Sequence, residues 1–145
     1  MIPPTVTVAL GEIVVAILAL LAAVHLFWAL GGRLGKGLAV PEKANKAGPA
    51  MRPKPAATLL VATALAVAAD LVAMRAGLLS SLLPAWLPQT FCALLALVLL
   101  ARAIGDRRYV GFFKRIKDTR FARLDTMAYS PLCLVLAVMV GVTAW

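Results

Sequence analysis

Four long apolar runs divide the chain, separated by polar segments rich in Lys, Arg and Pro. The runs cover about residues 6–30, 56–77, 88–104 and 126–145. Each is roughly 17–25 residues long, which is the length that a helix rising 1.5 Å per residue needs to cross about 30 Å of hydrocarbon. The pattern predicts an all-α membrane protein with four transmembrane helices in one integral membrane domain, residues 1–145.

The start of the fourth helix is open between two positions. Asp125 or Thr126 could cap the helix, or Ser130 could cap it with Pro131 as its first residue. The later start leaves only about 22 Å of helix at 1.5 Å per residue. The earlier start, with a proline kink at Pro131, is therefore preferred.

Composition agrees with a membrane environment, and charge gives an orientation. The chain is 63% hydrophobic, yet it carries 15 Lys and Arg against 6 Asp and Glu, a formal net charge of +9. The basic residues concentrate in loops 31–55 and 105–125, whereas residues 1–10 and the connection between the second and third runs contain none. The positive-inside rule makes these two loops cytoplasmic, with both termini outside, in an antiparallel bundle.

The loop "GDRRYVGFFKRIKDTRFARLD", residues 105–125, interleaves basic and aromatic residues. Tyr109, Phe112, Phe113 and Ile116 lie at i, i+3, i+4 and i+7, the spacing of one helical face. This spacing predicts an interfacial amphipathic helix, with cations among the headgroups. The residues expected at the lipid surface are Arg107, Arg108, Tyr109, Phe112, Phe113, Lys114, Arg115 and Lys117.

The anion that this loop attracts is predicted to be phospholipid, and no nucleic acid is expected. An RNA-recognition module would need a four-stranded sheet that carries its aromatic residues, and no strand pattern surrounds "YVGFF". Basic residues beside the inner leaflet are instead attracted by anionic lipid.

Polar residues near the basic ends of the runs fall into three pairs on shared helical faces. These pairs are His25 with Trp28, Arg102 with Asp106, and Asp125 with Tyr129. Similar depth predicts that they form one inner-leaflet pocket suited to an anionic headgroup, lined by His25, Trp28, Arg102, Asp106, Asp125 and Tyr129. Alternatively, His25 only hydrogen-bonds a neighbouring helix, and the aromatic residues belong to an interfacial belt.

Ionisable residues inside an apolar run are candidates for function because lipid makes them costly. Glu12 and Asp70 are therefore possible proton sites. Glu12 could instead form an ion pair with Arg75 if the first two helices are neighbours. Cys92 and Cys133 lie in apolar runs without CxxC spacing or a nearby His, so no disulfide, metal site or cofactor is predicted.

Three segments together resemble a known family. They are "HLFWALGG" at 25–32, "AIGDRRYVGFFKR" at 103–115 and "TRFARLDTMAYSPLC" at 119–133. In this order and spacing they resemble a family of small bacterial inner-membrane proteins known only as a domain of unknown function. The resemblance implies a four-helix, multi-pass protein of the bacterial inner (plasma) membrane and carries no activity with it.

Three functions remain as hypotheses. The first is a non-enzymatic protein that binds anionic lipid, or a partner membrane subunit or second copy, through the pocket and the basic loop. The second is a compact proton-coupled small-molecule transporter that uses Glu12 and Asp70. The third is a lipid-modifying enzyme with His25 as base, which is disfavoured because no second catalytic group is identifiable.

Overall fold

The structure is a computed structural model that describes residues 3–43 and 48–145. Its α-helices are α1 (Pro4–Ala29), α2 (Lys36–Ala39), α3 (Pro55–Arg75), α4 (Trp86–Ile104), α5 (Arg120–Leu124) and α6 (Ser130–Ala144), with a π-helical turn at Asp125–Tyr129. Within the described ranges there is no strand, only an isolated bridge between Glu42 and Pro49.

Four helical stretches are long and apolar enough to cross a membrane. They are α1, α3, α4 and the continuous stretch Arg120–Ala144. Prolines at the first turns of α1 and α3 suit helix entry, since the missing N–H has no intrahelical partner there anyway. The predicted all-α fold with four helices of membrane-spanning length is confirmed, and these helices indicate a multi-pass membrane protein.

The four spans pack as two pairs, α1 against α3 and α4 against α6. Their shared core is apolar and includes Val14, Leu18, Val72, Leu136 and Val140. Small residues bring α1 and α3 together, because a Cβ added at Gly11 would collide with Ala76, just beyond α3.

Hydrogen bonds between helix ends sort the connections into two groups. At one end, Arg75 Nη2 donates to the Ala144 carbonyl at 3.0 Å, so the ends of α3 and α6 meet. At the other end, Tyr129 Oη donates to the Leu38 carbonyl at 3.3 Å. Residues 30–43 and 105–119 therefore lie at the same end of the bundle, as the helix lengths and alternation require.

The ion pair suggested for Glu12 and Arg75 does not form, although α1 and α3 are neighbours. Arg75 binds the end of α6 instead, and both salt bridges seen among the described residues are made by Asp125. Neighbouring helices therefore do not guarantee this pair, because the direction in which each side chain leaves its helix also matters.

Residues 105–119 form a folded loop, so the prediction of an amphipathic helix in this segment is wrong. Gly105, Arg107 and Gly111 have positive φ values of 89°, 62° and 88°, which right-handed helices exclude. The backbones of Gly105 and Gly111 pass so close that a Cβ on either glycine would collide with the backbone at the other. Local backbone requirements thus outweigh the helical spacing of the aromatic residues.

The fourth span begins at Arg120, where Thr119 Oγ1 accepts a hydrogen bond from Ala122 N at 3.1 Å. Its π-helical turn ends at Tyr129, two residues before Pro131, the residue at which a kink is expected. Because Pro131 has no N–H, it cannot make the usual bond to the carbonyl four residues earlier. The wider turn lies beside this weakened point, and in it Ser130 N donates to the carbonyl of Asp125, five residues earlier.

Candidate functional site

A buried ion cluster joins the end of α4, the 105–119 loop and the start of the fourth span. At its centre is Asp125, whose side chain is 0% exposed. Arg102 Nη2 lies 2.7 Å from Oδ1, and Lys114 Nζ lies 2.9 Å from Oδ2. The predicted approach of Arg102 and Asp125 is therefore present as a direct salt bridge.

Lys114 has an unexpected position, because the sequence placed it at the lipid surface. Its side chain is only 1% exposed. Besides Asp125, Nζ donates to the Gly111 carbonyl at 3.0 Å and to Thr126 Oγ1 at 2.6 Å. The ammonium thus uses its three donors inside the protein and folds the loop over Asp125.

The carboxylate of Asp125 is saturated with donors. In addition to the two cations, it accepts hydrogen bonds at Oδ2 from Gly111 N at 2.8 Å and from Ser130 Oγ at 3.2 Å. A buried carboxylate needs such compensation because desolvation of an unpaired charge is costly. Asp125 therefore holds the loop in place and is not available to a ligand from outside.

Arg102 carries a buried donor that is left unused. Its Nη1 is buried and has no hydrogen-bond partner within residues 3–43 and 48–145, although 32% of the side chain is exposed. The cluster also has two cations against one carboxylate. An oxygen acceptor at the edge of Arg102 would satisfy this nitrogen.

Asp106 lies outside the cluster and shapes the loop. Its Oδ1 accepts backbone hydrogen bonds from Arg108 at 2.8 Å, Tyr109 at 2.7 Å and Val110 at 3.0 Å. Partial burial raises the pKa of the Asp106 carboxyl, but these three N–H donors outweigh it and leave the pKa below its ordinary value. Asp106 therefore acts as an ionised cap on the turn.

Three arginines of the same loop surround a surface hollow, referred to below as the basic hollow. Arg107, Arg108 and Arg115, with Asp106 and Ile116, line a cavity of about 480 Å³. Backbone bonds of 3.2 Å from Arg115 N to the Arg107 carbonyl and from Ile116 N to the Arg108 carbonyl fix its walls.

Aromatic side chains lie beside the basic hollow. The Arg108 guanidinium stacks over the Tyr109 ring at 5.2 Å, a cation–π contact. Phe113 is 68% exposed, Phe112 is also exposed, and Lys117 adds a further exposed cation. The loop thus presents cations and apolar rings together without being a helix.

His25 and Trp28 lie in a different place, at the end of α1. His25 Nδ1 is 2.7 Å from the Leu21 carbonyl, and the imidazole meets the Trp28 ring edge-on at 5.2 Å. Trp28 Nε1 donates to the Leu34 carbonyl at 2.8 Å. Both residues line a cavity of about 220 Å³ between α1, α2 and α3.

The six residues predicted to converge thus occupy separate surroundings. Arg102 and Asp125 meet, His25 and Trp28 line the cavity beside α1, and Asp106 caps its own turn. Tyr129 stands between these places, because its ring packs on Phe121 at 6.0 Å and its hydroxyl bonds to Leu38 of α2.

The two possible proton sites do not share the buried, ion-paired surroundings of Asp125. Glu12 and Asp70 are both exposed on the outer surfaces of α1 and α3. Neither residue takes part in the salt bridges seen in the described part of the chain.

Comparison with known proteins gives a family. A family model described as "Protein of unknown function (DUF3995)" matches residues 5–140. The chain belongs to this family. The resemblance stated from the three sequence segments is thereby confirmed. No curated protein and no solved structure matches the chain.

Within this DUF3995 chain, sequence reasoning missed the residues that enclose Asp125. They are Gly111, Lys114, Thr126 and Ser130. One signal pointed to them, namely that a carboxylate inside a membrane-spanning helix requires a nearby cation and donors. The sequence offers many basic residues in the preceding loop, so this signal does not select Lys114 among them.

Proposed function

We propose that this protein is a non-enzymatic, multi-pass protein of the bacterial inner membrane that binds anionic phospholipid headgroups. The basic hollow is the observation that carries the proposal. Arg107, Arg108 and Arg115 surround it, and Asp106 is the acidic residue in its lining. A phosphate group placed there would receive charge-assisted hydrogen bonds from the arginine guanidinium groups, whose planar arrangement of donors matches the phosphate oxygens.

The orientation proposed here puts the basic loops on the cytoplasmic side and both termini outside. The positive-inside rule supports it, because the basic residues concentrate in the two loops that lie at one end of the bundle. In this orientation the basic hollow faces the anionic inner leaflet, where each nearby Lys or Arg adds about 1 kcal/mol of attraction.

A rigid scaffold supports binding at the basic hollow. Lys114, Asp125 and the Gly111 N–H tie the loop to the fourth span, so its backbone is already ordered before a ligand arrives. A preorganised site avoids the entropy cost of ordering a loop on binding. Exposed Phe112 and Phe113 add apolar surface that suits the boundary between headgroups and acyl chains.

This arrangement supports lipid binding better than proton-coupled transport or catalysis. A carrier would need its carboxylates in a shared path, whereas Glu12 and Asp70 lie exposed on separate helices. A lipid-modifying enzyme would need a second catalytic group paired with His25, and within the described residues the direct contacts of its ring are to Leu21 and Trp28.

Native mass spectrometry of the gently solubilised protein tests the proposal. The wild-type protein should retain anionic phospholipid. Joint replacement of Arg107, Arg108 and Arg115 by Gln should reduce this retention about tenfold or more, because several charge-assisted contacts of about 1.5–3 kcal/mol each are lost. The matched control replaces Arg33, Lys43 and Lys54 by Gln, which removes the same charge from exposed positions of the other basic loop.

The basic hollow is supported if the control variant retains the lipid and the variant without the three arginines loses it. Equal loss in both variants would mean that overall charge holds the lipid, and the proposed site would be wrong. A wild-type protein that carries a second polypeptide and no lipid would replace lipid binding with a role as a membrane subunit.

A further inference from the structure

A second recess at the basic end of the bundle has a mixed lining. The cavity of about 220 Å³ lies between α1, α2 and α3, and its polar side chains are His25, Lys36 and Thr58. The rest of its lining is apolar and consists of Trp28, Ala39, Val40, Pro53, Ala57 and Val61. The cavity is smaller than the 300–1,000 Å³ or so of a drug-sized site, so a headgroup or a short ligand segment fits it better.

The hydrogen bond of His25 fixes how its ring can meet a ligand. Nδ1 lies 2.7 Å from the Leu21 carbonyl, and a carbonyl oxygen can only accept. Nδ1 therefore carries the proton, and Nε2 of the neutral ring is an acceptor. Within residues 3–43 and 48–145 the ring's one side-chain hydrogen bond is made by Nδ1, so in this part of the chain the Nε2 lone pair is open to a donor that enters the cavity.

Thr58 presents a second acceptor by the same logic. Its hydroxyl donates to the Lys54 carbonyl at 3.2 Å, which uses its only hydrogen. Among the residues that the structure describes, none donates to Oγ1, so its lone pairs can accept a hydrogen bond from a ligand. Lys36 completes the lining with a cation. The recess therefore offers two acceptors and one positive charge beside an apolar wall.

We propose that this recess binds one anionic phospholipid whose phosphodiester headgroup carries free hydroxyl groups. The phosphate would pair with Lys36, and headgroup hydroxyls would donate to Nε2 of His25 and to Oγ1 of Thr58. An amine headgroup is disfavoured because its ammonium would lie beside Lys36. The inference rests on the proposed lipid-binding function, and it adds a headgroup preference that the basic hollow does not supply.

The apolar wall and the location favour a lipid over a soluble phosphodiester. Ala57 and Val61 belong to α3, and Trp28 belongs to α1, both of which are helices of membrane-spanning length. An acyl chain attached to the bound headgroup can follow these helices, whereas a soluble ligand would leave that surface without a partner.

The test compares two anionic lipids, of which only one has hydroxyl groups in its headgroup. Phosphatidylglycerol and phosphatidylmethanol are both phosphodiesters with one negative charge, and only the first has hydroxyls. The full-length protein in lipid-free detergent is given both in equal amounts, and bound lipid is read by native mass spectrometry. We expect a preference for phosphatidylglycerol of about threefold to tenfold for each of the two hydrogen bonds, the range of one net hydrogen bond.

Two variants connect this preference to the recess. His25→Phe keeps a ring against Trp28 but removes both nitrogens, and Thr58→Val keeps the shape but removes the hydroxyl. Each should lower the preference by the share of one hydrogen bond, and the two together should bring it close to one, while phosphatidylmethanol binding is unchanged. Lys36→Gln should weaken both lipids equally. Circular dichroism checks the fold, and Thr58→Val keeps the test valid if His25→Phe does not fold.

The possible failures are distinguishable. If the wild type binds both lipids equally and the basic-hollow variant weakens both, the proposed function stands and this inference is wrong. If the wild type binds neither lipid, the proposed function itself is wrong. If soluble glycerophosphoglycerol displaces phosphatidylglycerol at equal concentration, the lipid assignment is overturned in favour of a soluble phosphodiester.

Discussion

Lys114 Nζ and Asp125 Oδ2 lie 2.9 Å apart, and both side chains are almost fully buried. The pair links a loop residue to the start of the fourth span across a separation of eleven positions. Because a buried charge without its partner is strongly destabilising, this contact makes the loop and the helix depend on each other.

Replacement of Lys114 by Met should destabilise the protein by about 3–5 kcal/mol, since it leaves the buried carboxylate of Asp125 short of a cation. Thermal or denaturant unfolding in detergent measures the change. Lys117→Met is the matched control, because Lys117 is exposed and its loss should change stability by less than about 0.5 kcal/mol. Similar stability of the two variants would show that the contact is not important.

Gly111→Ala should disturb the loop by about 1–3 kcal/mol, because Gly111 has a positive φ of 88° and its backbone lies against Gly105. The control is Gly37→Ala in α2, where an added Cβ meets no atom within 4 Å. Limited proteolysis of residues 105–119 should speed up only in the first variant. Unchanged protection would contradict the close approach of the two glycines.

Acid should loosen the turn capped by Asp106. The pKa of this carboxyl is lowered in the folded protein, so its stabilising contribution is fully present above the unfolded pKa of about 3.9 and is lost as the pH falls through the folded value. Amide hydrogen exchange at Arg108, Tyr109 and Val110 reports this loss directly. In Asp106→Asn the acid-dependent change should disappear, and its persistence would assign the effect to another group.

The orientation can be measured with single cysteines in a Cys92→Ala, Cys133→Ala background. In intact bacteria an impermeant maleimide should label Ser81→Cys, which lies in the connection without basic residues. Lys117→Cys should react only after the membrane is permeabilised, because the basic loops are expected inside. The opposite labelling pattern would reverse the proposed topology and remove the basic hollow from the inner leaflet.

Sequence reasoning succeeds here where lipid imposes one dominant requirement. A helix must hide its backbone polar groups over about 30 Å, so the apolar runs alone predict four spans. The depth of a residue in the membrane also follows from counting along its helix. Similar depth predicted that Arg102 and Asp125 approach each other, and they do. Both results depend only on distance along the chain.

The remaining details depend on direction around each helix and on local backbone geometry. His25 was expected beside Asp125, but rotation about α1 places its ring in the cavity with Lys36 and Thr58. Lys114 stands in a run of cations that look alike in the sequence, and only the folded loop selects it. The spacing of Tyr109 and its neighbours imitates a helix that the positive φ at Gly105 and Gly111 prevents.

The π-helical turn at Asp125–Tyr129 acts as a phase shift within the fourth span. One residue more than an α-helical turn rotates everything before it by about 100° relative to α6, because 3.6 residues make one turn. The start of the span can therefore point Asp125 toward the loop while α6 keeps Leu136 and Val140 in the core. Deleting one residue from this turn would remove the rotation. The span could then keep either Asp125 in its ion cluster or Leu136 and Val140 in the core, but not both.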